Sequence, residues 1–282
     1  MSGGPIVSVR ELQALIAEGG LLLLDCDFDL ADPALGLARY RQGHLPGARH
    51  VDLERDLSGL PDGSNGRHPL PSREAFAATV RRLGLATGQQ VVAYDGSGGI
   101  YAARLWWMLR WLGHGQVAVL DGGKQAWVRA GLSLETGELP SPVPGDIVPG
   151  NSLAGPPASA AEILADIGKG ALQVVDARDP ARFGGAPHPL DTVPGHIPGA
   201  TNRFYAQNLD EAGLLRPAQE LAAAFRDALG GKLPQQAVMQ CGSGVTACHN
   251  LLAMEVAGLK GARLYPGSWS EWTADPTRPV ER

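Results

Sequence analysis

The sequence predicts an α/β protein built from two tandem copies of one domain, each a mainly parallel sheet flanked by helices. Three observations carry the prediction. Landmarks recur in one order: Gly43-His44-Leu45-Pro46-Gly47-Ala48 returns as Gly195-His196-Ile197-Pro198-Gly199-Ala200, and Leu22–Asp25 as Gln173–Asp176. Val91–Gly98 returns as Ala237–Gly244, and Asp121-Gly122-Gly123 ahead of Trp127 as Pro266-Gly267-Ser268 ahead of Trp272. Short apolar runs alternate with longer helical patterns, the signature of a parallel sheet with helical crossovers. Prolines 140, 142, 144, 149, 156 and 157 crowd one stretch between the copies, an extended and semi-rigid composition. Residues 1–139 are therefore read as the first domain, 140–157 as a linker and 158–282 as the second domain, in a chain of 282 residues.

Within the copies, Leu21–Leu24, Val91–Tyr94, Val117–Leu120, Gln173–Val175 and Ala237–Gln240 are short apolar runs and read as buried strands. Ser72–Leu83 and Pro217–Leu229 read as helices, with Ser72 as an N-cap ahead of Ala75 and Phe76. Trp106, Trp107 and Trp111 lie at helical spacing and read as a packed face. Ligands of such sheets sit beyond the carboxyl ends of the strands, which directs attention to Tyr94–Gly99 and Gln240–Thr246.

Composition narrows the function. Hydrophobic residues make up 44%, enough for two cores, and the net charge is −5 with no Lys/Arg block, which argues against nucleic acid. No apolar run approaches the ~18–20 residues that span a bilayer, so no membrane partner is expected. The start lacks a basic region followed by an apolar stretch, and three cysteines are too few and odd in number for a disulfide scaffold. A cytoplasmic, reducing setting is expected. There is no CxxC and no HExxH, so neither a metal nor another cofactor is expected.

The chemistry concentrates at Cys241-Gly242-Ser243-Gly244-Val245-Thr246, where a strand runs into a helix. Two glycines let the backbone curl so that N–H groups point inward, and the helix N-terminus adds positive character. Both effects favour a thiolate over a thiol. Cys248 falls on the helix side and reads as packed; Cys26, between Asp25 and Asp27, reads as structural because neighbouring carboxylates disfavour a thiolate. The first copy carries Asp95 where the second carries Cys241, so the first copy is read as non-catalytic.

GHxPGA twice, Asp176-Ala177-Arg178, CGSGVTAC from Cys241 and the closing Gly267-Ser268-Trp269-Ser270-Glu271-Trp272 resemble the tandem rhodanese-domain sulfurtransferases over nearly the whole chain. The loop is similar to that of the 3-mercaptopyruvate-using branch. Thiosulfate-using relatives carry positive side chains directly after the cysteine, where this chain has Gly242 and Ser243, neutral donors to a dianion. The resemblance implies a persulfide on Cys241, a small-molecule sulfur donor, and a thiol such as thioredoxin, or cyanide, as acceptor. It also implies a Ser-His-acid relay of Ser243, His68 (placed in the first copy, in Arg67-His68-Pro69-Leu70-Pro71) and an acid in Val51–Glu54. The family has two aspartates in that last segment; here the second is Glu54. Gly242, Gly244, Val245 and Thr246 form the substrate cradle, and Arg182 is the implied fork for a carboxylate. A second arginine usual before the GHIPG motif is missing from Pro187–Asp191, which leaves either His188 in its place or one fork alone. His44 and His196 occur in both copies while the cysteine occurs in one, so both read as structural.

Three other functions compete. A phosphatase on this fold needs an arginine six residues after the cysteine, and that position is Ala247. Thiosulfate sulfurtransferase and a non-catalytic persulfide carrier or redox module remain as alternatives.

Overall fold

The structure, a computed structural model, describes residues Gly4–Arg282. It divides into two compact units. The first comprises residues up to Ser58, then 71–153 and Ala212–Leu214; the second comprises Gly59–Leu70, 154–211 and 215–282. Gly59–Leu70, which the repeat places in the first copy, is thus a part of the second unit, and it carries Arg67 and His68.

Among the described residues, the first unit has five strands, β1 (Ile6–Val7), β2 (Leu22–Asp25), β3 (Arg49–His50), β4 (Val91–Tyr94) and β5 (Val117–Leu120). They form one sheet in the order β1-β5-β4-β2-β3, and every pairing is parallel. The central pair β2 and β4 runs in register from Leu22 opposite Val91 to Asp25 opposite Tyr94. The helices that accompany it are α1 (Val9–Glu18), α2 (Ala34–Gln42), α3 (Arg73–Arg82), α4 (Ile100–Leu112) and α5 (Gly123–Arg129). Ser72 caps α3 by accepting the Ala75 N–H, as its sequence context predicts. Helix α4 is apolar on nearly all sides and buries Trp106 and Trp107. Leu12, Leu23, Leu45, Val92, Tyr94 and Trp127 belong to the unit's core.

The second unit repeats the plan with β6 (Gln173–Asp176), β7 (Thr201–Asn202), β8 (Ala237–Gln240) and β9 (Arg263–Leu264), in the order β7-β6-β8-β9, again all parallel. Its helices are α6 (Ala160–Asp166), α7 (Pro180–Phe183), α8 (Ala218–Ala228), α9 (Thr246–Val256) and α10 (Ser268–Trp272). Ile163, Ile197, Val238, Tyr265, Trp269 and Trp272 contribute to its core. The proline-rich stretch has neither helix nor strand, and it divides. Gly145 and Gly150 donate to Arg81 and Leu112 of the first unit, whereas the Pro156 carbonyl accepts from Arg263 Nε of the second.

The two GHxPGA motifs do the same work in each unit. His44 Nδ1 meets the Tyr40 carbonyl at 2.9 Å and His196 Nδ1 meets that of Phe183 at 2.8 Å, each ring stacked on the same aromatic residue. Each histidine also pairs its backbone with a late glutamate, Glu135 or Glu281, in an isolated bridge. These are architectural contacts, which accounts for their presence in both copies. Among the described residues, no helix is long and apolar enough to cross a membrane.

Candidate active site

Strand β8 ends at Gln240 and delivers Cys241 to the carboxyl edge of the second sheet, where its side chain is buried. The Cys241 N–H donates to Ser268 Oγ at 3.1 Å, and its carbonyl accepts the Trp269 N–H at 3.0 Å. The Gly242 carbonyl accepts the Ser270 N–H at 3.0 Å, so the start of α10 clamps the loop from one side. Gly244 has φ +76°, and a Cβ there would lie 2.3 Å from the Pro266 carbonyl oxygen; only glycine fits. Val245 leads directly into α9, whose first residue is Thr246. Loop and helix N-terminus together provide the positive backbone environment that the sequence predicts.

The segment Gly59–Leu70 brings a second set of side chains to this loop. Gly66, at φ +89°, allows a close approach, since a Cβ there would sit 2.7 Å from the Gly267 carbonyl oxygen. The next two residues face the cysteine loop. Arg67 N–H donates to Ser270 Oγ at 3.1 Å, and its guanidinium donates to the Leu190 carbonyl at 2.6 Å. His68 Nδ1 lies 2.8 Å from Ser243 Oγ, with both side chains buried. The histidine and serine that the resemblance pairs are therefore in hydrogen-bond contact.

Two guanidinium groups flank Gly242. A Cβ built there would meet Arg67 Nη2 at 3.0 Å and Arg182 Nη2 at 3.2 Å. Arg182, on α7, is held by Asp191 through two bonds, Nε to Oδ2 at 2.8 Å and Nη2 to Oδ1 at 2.7 Å. Burial lowers the proton affinity of Arg67, a trend that Arg182 and Arg178 reinforce and that the negative charges of Cys241 and Asp191 oppose. Burial works against the Arg182 charge as well, but the bonds to Asp191 and the charges of Asp191, Cys241 and Asp176 raise it above its usual value. The cysteine sulfur thus lies within electrostatic reach of two cations.

The second guanidinium beside Gly242 is that of Arg67. His188 Nδ1 accepts the Leu190 N–H at 3.2 Å. Burial and the nearby Arg182 charge both push it towards the neutral form. Sequence reasoning missed Arg67 because it looked beside the GHIPG motif, although the residue stands next to His68. It also missed Asp191, which has no motif of its own, and the part played by Ser268, although that residue stands in the closing motif. The positive charge absent from Gly242 and Ser243 is supplied from other segments.

Glu54 belongs to the first unit, where it is exposed and its N–H donates to Asp52 Oδ1 at 2.9 Å. The buried acid nearby is Asp56, two residues beyond that segment and ion-paired to Arg55 and Arg82. Cys26 is buried in the first unit, and burial together with Asp95, Asp25, Asp27 and Asp56 pushes its thiol far up, against reactivity. Cys248 is buried inside α9 with its Sγ 3.4 Å from the Gly244 carbonyl. A cavity of about 320 Å³ in the second unit is lined by Arg178, Arg182, His188, Phe204, Tyr205 and Thr246, among others.

A rhodanese-like domain model matches residues 8–130 and again 159–275. The chain belongs to the rhodanese family. It is 44% identical, over 99% of both chains, to a Pseudomonas aeruginosa protein named as a probable 3-mercaptopyruvate sulfurtransferase. SseB of Mycobacterium tuberculosis, which carries the provisional name thiosulfate sulfurtransferase, is 41% identical over 99% of this chain and 98% of its own. Among solved structures, the 3-mercaptopyruvate sulfurtransferase of Leishmania major superposes with a TM-score of 0.87 at 33% identity, over 99% of this rhodanese chain and 76% of that one.

Proposed function

We propose that this rhodanese-family chain is a 3-mercaptopyruvate sulfurtransferase, with Cys241 as the sulfur carrier. The observation that carries the reading is the His68–Ser243 contact of 2.8 Å beside the cysteine loop. Thiosulfate releases sulfite, already a stable anion, and needs no proton at the step. Mercaptopyruvate leaves as an enolate and does.

The Cys241 thiolate attacks the thiol sulfur of mercaptopyruvate. The new S–S bond forms as the C–S bond breaks, and the electron pair of that bond passes into the pyruvate enolate. Ser243 gives the enolate a proton and recovers one through His68, while the thiol proton of the substrate is released from the persulfide. Arg67 and Arg182 hold the substrate carboxylate against the Gly242 edge, and Gly244, Val245 and Thr246 supply the backbone cradle. A thiol acceptor, thioredoxin among them, or cyanide then takes the outer sulfur and regenerates Cys241. Glu54 enters as the relay acid only through the family pattern. An exposed carboxylate acts weakly on a histidine, so Glu54→Gln is expected to cost far less activity than His68→Ala. A cytoplasmic location suits a free, reactive thiolate.

The test is pyruvate release from 3-mercaptopyruvate with cyanide as acceptor, paired with peptide mass analysis for one added sulfur on Cys241. Turnover of thiosulfate alone would assign the other branch, and a persulfide accepted only from a partner protein, without pyruvate release, would assign a carrier.

A further inference from the structure

The charged groups around the cysteine loop come in pairs, with one left over. Arg178 is matched by Asp176, which accepts from Nε and Nη2 at 2.7–3.1 Å, and the guanidinium lies over the Trp269 ring. Arg182 is matched by Asp191 through its two-pronged bond. Arg67 has no acidic partner among the described ion pairs; its Nη1 donates to the neutral Leu190 carbonyl. Apart from the nucleophile, the arginine cluster therefore carries a single net positive charge. Asp191 is the residue that brings it to that value, because its other oxygen contact is to Arg178 at 3.4 Å and its side chain is only 3% exposed.

We propose that Asp191 is a specificity-determining residue: by neutralising Arg182 it limits the substrate-anion site to one net positive charge and so favours a monoanionic keto acid over dianionic thiosulfate. This rests on the sulfurtransferase reading above and extends it. Two uncompensated arginines would welcome a dianion, whereas one leaves the second negative charge of thiosulfate facing the Cys241 thiolate without a counter-charge. The same carboxylate also fixes the orientation of Arg182. Its two bonds hold the guanidinium plane with Nη2 beside Gly242. Asp191 touches no reacting atom in this account and acts through Arg182. The neutral Gly242 and Ser243 explain why no third and fourth cation are added; Asp191 explains why the two already present do not behave as two.

Two variants and two readouts test this. In Asp191→Asn the ratio of kcat/KM for thiosulfate to that for 3-mercaptopyruvate is expected to rise by about 3- to 10-fold, the effect of one added charge acting on one extra substrate charge at partly screened range. In Asp191→Glu, which keeps the charge, the ratio should stay within about two-fold of wild type on the same grounds. The second readout needs no sulfur transfer: alkylation of Cys241 by anionic iodoacetate relative to neutral iodoacetamide, followed on the Cys241 peptide. That ratio should also rise in Asp191→Asn and fall back as salt is added. A general loosening of the site changes both reagents alike and leaves the ratio unmoved, so an unmoved ratio overturns the proposal, as does an equal shift in Asp191→Glu. A raised alkylation ratio in a protein that releases no pyruvate upholds the charge assignment and refutes the substrate assignment.

Discussion

Gly96 and Gly242 stand at the same place in the two copies, two residues past the end of a central strand. The Gly96 N–H donates to Asp27 Oδ1 at 3.0 Å, and a Cβ on Gly96 would meet that carboxylate at 2.9 Å. The corresponding Cβ on Gly242 would meet the guanidinium groups of Arg67 and Arg182. Asp27 and Arg178 occupy matching positions after the first central strand of each unit, and each is ion-paired there, Asp27 to Lys124 at 2.8 Å and Arg178 to Asp176 at 2.7 Å. The side chain ahead of the glycine differs in keeping. Asp95 turns inward and consumes the nest, its two oxygens accepting the N–H groups of Ser97, Gly99, Tyr101 and Ala102 at 2.7–2.9 Å. The first loop is an anion site filled by its own carboxylate, with Asp27 and its partner Lys124 beside it. The second keeps a sulfur in that place and surrounds it with cations. Similar backbone thus supports either a structural plug or a nucleophile, and the neighbours decide which.

The hardest test of that contrast is to move the nucleophile. Cys241→Ser is expected to abolish sulfur transfer, while Cys248→Ser and Cys26→Ser retain most of it. Asp95→Cys added to Cys241→Ser should restore nothing, because the first loop faces Asp27 rather than arginines. Pyruvate release by the double variant would show that the loop alone suffices and that the charge comparison is empty.

Next in size is the proton relay. Ser243→Ala and His68→Ala should each lower kcat with mercaptopyruvate by about 10²–10⁴. Since they act as one unit, the double variant should be little worse than either single one, and multiplicative losses in steady-state assays would assign them separate tasks.

The cations come third. Arg67→Ala and Arg182→Ala should each raise KM for mercaptopyruvate about 10- to 100-fold, the worth of a hydrogen bond to a charged group. Burial pushes the Asp191 carboxyl up, and the bonds and charge of Arg182, with Arg178 and Arg67, more than offset it and hold it low. Arg182→Ala therefore also leaves a buried carboxylate short of its partner and should lower the melting temperature more than Arg67→Ala does.

The smallest effect sharpens the first-unit side. Burial pushes Asp95 up to about 6, against the opposing pull of its N–H donors. A carboxyl raised in the folded state contributes stability that is fully present below its unfolded pKa of ~4 and is lost as pH rises through about 6. Wild type should thus lose melting temperature relative to Asp95→Asn between pH 4 and 7. A difference that stays flat across that window would mean that Asp95 is not titrating there.

Much of this was legible in the chain itself. The repeat, the parallel alternation, the strands at Leu22, Val91, Val117, Gln173 and Ala237, and the exceptional position of Cys241 all follow from local pattern. Strand periodicity, glycine placement and helix start signals act between residues close in sequence, and GHxPGA occurring twice needs no third dimension to be seen. Tertiary structure decided where the charges go. Arg67 reaches the Cys241 loop because Gly59–Leu70 packs with the second unit, and Asp191 neutralises Arg182 because a loop folds back across nine residues. Neither partnership has a spacing rule, since long side chains from separate segments meet wherever the fold brings them. The sequence contains the positive charge of the site, but only the folded chain determines that two arginines flank Gly242 and that one of them is already matched.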